Sequence, residues 1–227
     1  MKLGARWASV MAVILMAAPA VLAAEGELTL KAAEKALPEG VADPIKGAVQ
    51  GTSIQLLNGE EPVYEFWLAK SITLTAAPDA KDALASVPEM ALLGIAQIGG
   101  GEERDYRDDE LPAAVYTMRL SIQPKDGNHL GTSEFPYFAV LIPAEKDTKL
   151  EGFESPKAMV KTSQDDTVAE HPVIVSLRPS TDAGPFPKLR EPALEHKSVA
   201  VEVPAKSADG ADTKIVFEIV YAGVGEL

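Results

Sequence analysis

The chain contains no cysteine. Disulfide stapling, on which many small exported domains rely, is therefore excluded. So are zinc–thiolate sites, thiol catalysis, iron–sulfur clusters, type 1 copper and covalently attached c-type haem. Histidine is scarce, with three residues, His129, His171 and His196, whose spacing carries no metal-ligand signature. Basic residues are also short, at 21 against 34 acidic ones. Such a surface lacks the clustered Lys and Arg that nucleic acid or anionic lipid requires. It attracts cations and favours solubility. No Gly-x-Ser-x-Gly elbow, His-Glu-x-x-His motif, phosphate loop or dinucleotide fingerprint occurs. No apolar run reaches the ~20 residues of a membrane-spanning helix.

What is present begins at the N-terminus. Lys2 and Arg6 precede an apolar run over 7–18, and Val21-Leu22-Ala23-Ala24 offers small residues for cleavage after Ala23 or Ala24. This is the pattern of a secretory signal peptide. Residues 1–24 are expected to be the leader. Residues 25–227 are expected to form one domain, with a possible sub-boundary near 145–170. The mature chain is expected in the periplasm or outside the cell, with no stable membrane span. No cysteine stands at the cleavage site, so lipid attachment by that route is excluded. Removing the leader takes away Lys2 and Arg6 and no acid, so the net charge of −13 becomes −15.

After the leader, short alternating segments are broken by Pro, Gly, Asn and Asp, which reads as β structure. Strands are expected at 27–32, 53–57, 62–68, 71–75, 91–98, 114–122, 135–142 and 172–178. A C-terminal hairpin follows, with Val199, Val201 and Val203 on one face and Ile215, Phe217, Ile219 and Tyr221 returning. Asn58-Gly59 is a hairpin turn signal. Residues 91–98 are nearly all apolar, as in a central strand covered on both faces. In 114–122, Tyr116, Met118 and Leu120 share a buried face, and Thr117, Arg119 and Ser121 share a face expected to be wet. Arg119 would there pair with a cross-strand acid. Segments 29–36 and 79–86 can each form a turn or two of helix. The least patterned stretches, 144–170 and 180–196, read as long surface loops or a wrapped arm.

Leu111-Pro112-Ala113-Ala114-Val115-Tyr116 leads into the clearest strand. It resembles the lead-in of immunoglobulin-like and fibronectin type III-like sandwiches, where a leucine and a proline precede a buried tyrosine. The resemblance implies a tyrosine corner, with the Tyr116 hydroxyl bonded to backbone near Pro112. The glycine often found between that proline and tyrosine is missing here. The wider block Tyr116-Thr117-Met118-Arg119, Gln123-Pro124 and Asp126-Gly127-Asn128-His129 also resembles a family of uncharacterised exported bacterial β proteins. That likeness implies export and fold and carries no activity. The expected fold is an all-β, antiparallel immunoglobulin-like sandwich with long loops and a C-terminal hairpin.

Two loops hold candidate metal ligands. Asp126, Asn128 and His129 supply carboxylate, amide and imidazole donors between two strong strands; equally, Asp, Gly and Asn are ordinary turn formers. Asp105, Asp108 and Asp109 stand in an acidic run over 102–110 that suits a hard cation such as Ca²⁺, although Arg104 and Arg107 partly neutralise it. Ca²⁺ or Cu²⁺/Zn²⁺ are thus the only cofactors in view, and none is required. The two loops flank one strand and belong to its opposite ends, which argues against one joint site. Tyr64, Phe66 and Trp67 offer aromatic surface for sugar stacking; alternation places Trp67 opposite the other two, so at least one set belongs to a core.

The reading that results is an exported, non-catalytic binding or accessory module of the periplasm or cell envelope, with a protein or glycan partner. A metal-binding β-sandwich is the first alternative. A carboxylate-dependent hydrolase of envelope polysaccharide is the second, since such enzymes need only two placed carboxylates.

Overall fold

The structure, a computed structural model, describes residues 28–99, 111–124, 135–164, 172–191 and 196–222. Eleven strands form in chain order: β1 (Thr29–Glu34), β2 (Thr52–Asn58), β3 (Glu61–Leu68), β4 (Ile72–Thr73), β5 (Leu92–Ile98), β6 (Val115–Ile122), β7 (Tyr137–Pro143), β8 (Ile174–Pro179), β9 (Lys188–Arg190), β10 (Lys197–Lys206) and β11 (Asp212–Ala222). The chain is all-β, as the alternation implies. The strands pair in one continuous, nearly barrel-shaped sheet in the order β1-β2-β3-β5-β6-β7-β8-β11-β10-β4, with β9 also on β10. Every pairing is antiparallel except β4 on β10.

Period-2 alternation turns one face of each strand inward. Leu56 of β2, Phe66 of β3, Tyr116, Met118 and Leu120 of β6, Leu141 of β7, Leu177 of β8, Val201 of β10 and Phe217 of β11 meet in one apolar core. The wall curls far enough for distant strands to touch. The Tyr64 hydroxyl of β3 donates to the Tyr221 carbonyl of β11 at 3.3 Å, and their rings stand 6.0 Å apart. A 3₁₀ turn at Ala83–Ser86 packs on β8 and β11 and buries Leu84. Asp82 caps that turn by accepting from the Ala85 amide at 3.2 Å, and accepts the Tyr137 hydroxyl at 2.7 Å.

The outer face is covered in two places by helices in stretches with no clear sequence signal. The first is α1 (Asp43–Ala48), begun by Pro44, which sets Ile45 against Val41, Val49 and Trp67. The second is α2 (Pro156–Gln164). The Ser155 hydroxyl oxygen accepts from the Ala158 amide at its start, and Met159 packs on Phe138, Val140, Ile142 and Ile174. Segment 29–36, read as open to helix, holds strand β1. Trp67, considered for sugar stacking, is fully buried beneath α1, while Tyr64 and Phe66 stack in the barrel core. All three aromatics are therefore core.

Gly94 in β5 shows how tightly the wall is drawn. A Cβ there would stand 2.3 Å from the Trp67 carbonyl oxygen, so only glycine lets β3 approach. Among the described residues, strand β1 ends the sheet and pairs on one side only. It is short and carries Lys31 and Glu34 in exposed positions, features that discourage edge-to-edge pairing.

Candidate functional site

The outer face of β6 was expected to be wet, and it is not. Thr117 and Arg119 are buried there because residues 144–153 fold across it. Arg119 Nε donates to Asp147 Oδ2 at 2.6 Å and Nη2 donates to Oδ1 at 3.0 Å, a two-point fork. Nη1 donates to the Met90 carbonyl at 2.9 Å and Nη2 to the Lys149 carbonyl at 2.7 Å. The Thr117 hydroxyl donates to Asp147 Oδ2 at 2.6 Å. The Phe153 ring lies 5.8 Å from the guanidinium carbon. Gly152 passes so close that a Cβ would stand 2.7 Å from Nη1. Arg119 thus pairs with a loop acid after β7, while its cross-strand neighbours are the apolar Val140 and Leu92. With every partner supplied from within, this cluster is a structural clamp.

The clamp fixes the loop that forms one wall of a cleft. The cleft has a volume of about 350 Å³ and lies at the end of the barrel opposite the Asp82 turn. Its floor comes from the lead-in to β6 (Pro112, Ala114, Val115 and Tyr116) and the end of β7 (Pro143 and Ala144). Val173 before β8 and Ser163 in the last turn of α2 close one side. Glu39 and Gly40, in the turn before α1, close another, and Glu145 completes the rim.

The hydroxyls at the cleft are engaged in holding its walls. Tyr116 Oη donates to the Pro112 carbonyl at 2.8 Å, the bond the sequence resemblance implied. Ser163 Oγ donates to the Leu141 carbonyl at 2.7 Å and accepts from the Val173 amide at 3.0 Å, tying α2 to β7 and β8. The two carboxylates are different. Glu39 and Glu145 are solvent-exposed, and neither has a hydrogen bond or ion pair among the described residues. Among the described residues, no Lys, Arg or His lines the cleft. The arrangement can hold a ligand with an apolar body at a negatively charged mouth.

Sequence reasoning singled out Pro112 and Tyr116, and both line this cleft. It did not find Glu39, Glu145 or Ser163, which stand far apart in the chain. The candidate metal ligands Asp105, Asp108, Asp109, Asp126, Asn128 and His129 lie outside the described residues, as does His171. The described chain adjoins these segments at Leu111 and Pro124, on opposite ends of β6. Among the described residues, no group of three His, Cys, Asp or Glu side chains is placed to hold a metal ion. His196 Nδ1 stands 3.4 Å from Arg178 Nη1. No described helix is long and apolar enough to cross a membrane. In comparisons with known proteins, the chain matches no family model, no curated protein and no solved structure.

Proposed function

We propose that this chain is an exported, non-catalytic binding module of the periplasm or cell envelope that engages its partner through the Tyr116–Glu145 cleft. The leader pattern of residues 1–24 supports export. One observation carries the binding reading: a cleft of about 350 Å³ whose floor is apolar and whose hydroxyls are already committed to structure. Ligand clefts commonly span about 300–1,000 Å³, with apolar walls and a few polar groups that set orientation. Ser163 is bonded on both sides, which leaves it poorly placed as a nucleophile. Glu39 and Glu145 are exposed, whereas the acid of a glycosidase pair is held in an apolar pocket. The barrel interior is packed with side chains, so the ligand belongs on the outside.

The immunoglobulin-like likeness is kept as a proposal about the lead-in at 111–122 alone. The Tyr116–Pro112 hydrogen bond supports it.

The test is co-sedimentation of residues 25–227 with a purified envelope fraction, compared with Ala114→Trp. Ala114 is exposed on the cleft floor, so the indole fills the cleft without entering the core. Retention of the parent chain and its loss in A114W, at unchanged melting temperature, is the expected result. Equal retention of both removes the cleft from the reading. Release of sugar reducing ends from the envelope fraction would replace it with the hydrolase alternative.

A further inference from the structure

We infer that Asn58-Gly59 is a site of spontaneous modification, at which the Asn58 side chain closes on the backbone, releases ammonia and opens to aspartate or isoaspartate, and that the fold survives the change. The reaction needs no enzyme and no co-reactant but water. The Gly59 amide nitrogen gives up its proton and attacks Asn58 Cγ. The Cγ–Nδ2 bond breaks and ammonia leaves, which closes a five-membered succinimide. Water then opens either ring carbonyl. One route leaves an aspartate side chain, and the other carries the backbone through the side chain as isoaspartate. In net terms an amide NH₂ is exchanged for a carboxylate oxygen.

The hairpin turn between β2 and β3 is built in a way that permits this. Asn58 and Gly59 are both exposed. Among the described residues, neither the Asn58 side chain nor the Gly59 amide has a hydrogen-bond partner, so no bond has to break first. Gly59 stands in the left-handed region at φ +65°, and nothing lies within 4 Å of the space a Cβ would fill. The approach to its nitrogen is therefore open. The amide–glycine pair Gln50-Gly51 differs on each count that matters. Gln50 Nε2 donates to the Ala69 carbonyl at 3.0 Å, and its longer side chain would have to close a six-membered ring. Asn128, the other asparagine of the chain, is followed by His129 and not by glycine.

The pairing of β2 with β3 shows why the product is tolerated. Their register shifts between Leu56 and Leu57, so an irregularity separates the hairpin tip from the core rung Leu56–Tyr64. Only the rungs Leu57–Pro62 and Asn58–Glu61 lie beyond it, and Pro62 offers the ladder no N–H. The extra backbone atom of isoaspartate is taken up in that tip. The new charge joins the exposed Glu60 and Glu61.

The test holds residues 25–227 in warm, mildly alkaline buffer, natively and in urea, and follows intact mass and peptide maps with time. In the native protein the expected result is the mass gain of one amide-to-acid conversion, located at position 58. Aspartate and isoaspartate should both appear there, because the ring opens from either side. The modified protein should melt at nearly the parent's temperature. Asn58→Gln should lose the gain while folding as the parent does, since the position is exposed. A gain that appears only in urea means that the native turn protects the amide, and it overturns the inference. So does a gain located at Asn128 alone, or aspartate at position 58 without isoaspartate, which is the mark of direct hydrolysis. A clearly lowered melting temperature after modification overturns the survival of the fold.

Discussion

Arg119 and Asp147 face each other through a two-point fork, Nε to Oδ2 at 2.6 Å and Nη2 to Oδ1 at 3.0 Å, with each side chain only 1% exposed. They stand 28 residues apart in the chain. Neither has a net electrostatic advantage over apolar residues by virtue of burial alone, since desolvation opposes the attraction. What the pair does is decide where residues 144–153 lie, and so where one wall of the cleft stands. Asp147→Ala strands a guanidinium in the interior and should cost about 3–5 kcal/mol in a denaturant melt. Arg119→Met with Asp147→Leu removes both charges and should recover most of that loss. A single D147A variant as stable as the parent would show that the fork does not hold the loop.

Tyr116 reaches back across four residues to the Pro112 carbonyl. Tyr116→Phe keeps the ring in the core and deletes only the hydroxyl. The expected destabilisation is about 1 kcal/mol, the net worth of one such hydrogen bond. A neutral result by denaturant melt would reduce the corner to a sequence coincidence.

Burial, aided by the hydrogen bond to Asp82 and its charge, pushes the Tyr137 hydroxyl up to about 12. Burial, aided by the charge of Glu191, does the same for Tyr221. The ordinary value is 10.0. Below that pH both hydroxyls are protonated folded or unfolded, so their contribution to stability is fully present and does not vary with pH. From pH 10 upward the unfolded chain ionises first, so stability should fall as pH rises and the loss should be complete once pH passes about 12. Tyrosinate absorbance should therefore rise late and together with loss of fold. Tyr137→Phe should flatten the slope. Ionisation of all tyrosines near 10 with the fold intact would contradict this.

The two acidic loops are tested by melting residues 25–227 after chelator treatment, then with Ca²⁺, Cu²⁺ or Zn²⁺ added. An ion held only by the folded state raises stability by mass action, by about 2.7 kcal/mol at a hundredfold excess over its dissociation constant. With the binding reading centred on the cleft at Tyr116, no saturable rise is expected from any of the three. A rise with one ion would favour the metal-binding alternative, and Asp105→Ala, Asp126→Ala and His129→Ala would then locate the site.

Much of the strand plan is legible in the sequence because alternation is a local signal. The alternating segment 114–122 became β6, the apolar segment 91–98 became the doubly covered β5, and Asn58-Gly59 stands at the turn between β2 and β3. Helices α1 and α2 were not legible. The first is six residues long, the second is weakly patterned, and each is held by packing on a strand face and not by propensity. The outer face of β6 misled for a related reason. Thr and Arg at alternate positions look solvent-facing until a loop from after β7 brings Asp147 over them.

The sequence by itself determined that this chain would be all-β without disulfides, strongly acidic, and equipped with a buried tyrosine after Leu-Pro. Those properties reside in composition and in neighbours a few residues apart. Tertiary structure alone decided that the strands join one nearly closed sheet and that both flanks of β6 are dry. It alone brought Glu39, Tyr116, Glu145 and Ser163 to one cleft. Strand order and loop docking depend on contacts between residues distant in the chain, and a local pattern carries no information about which distant partner will cover it.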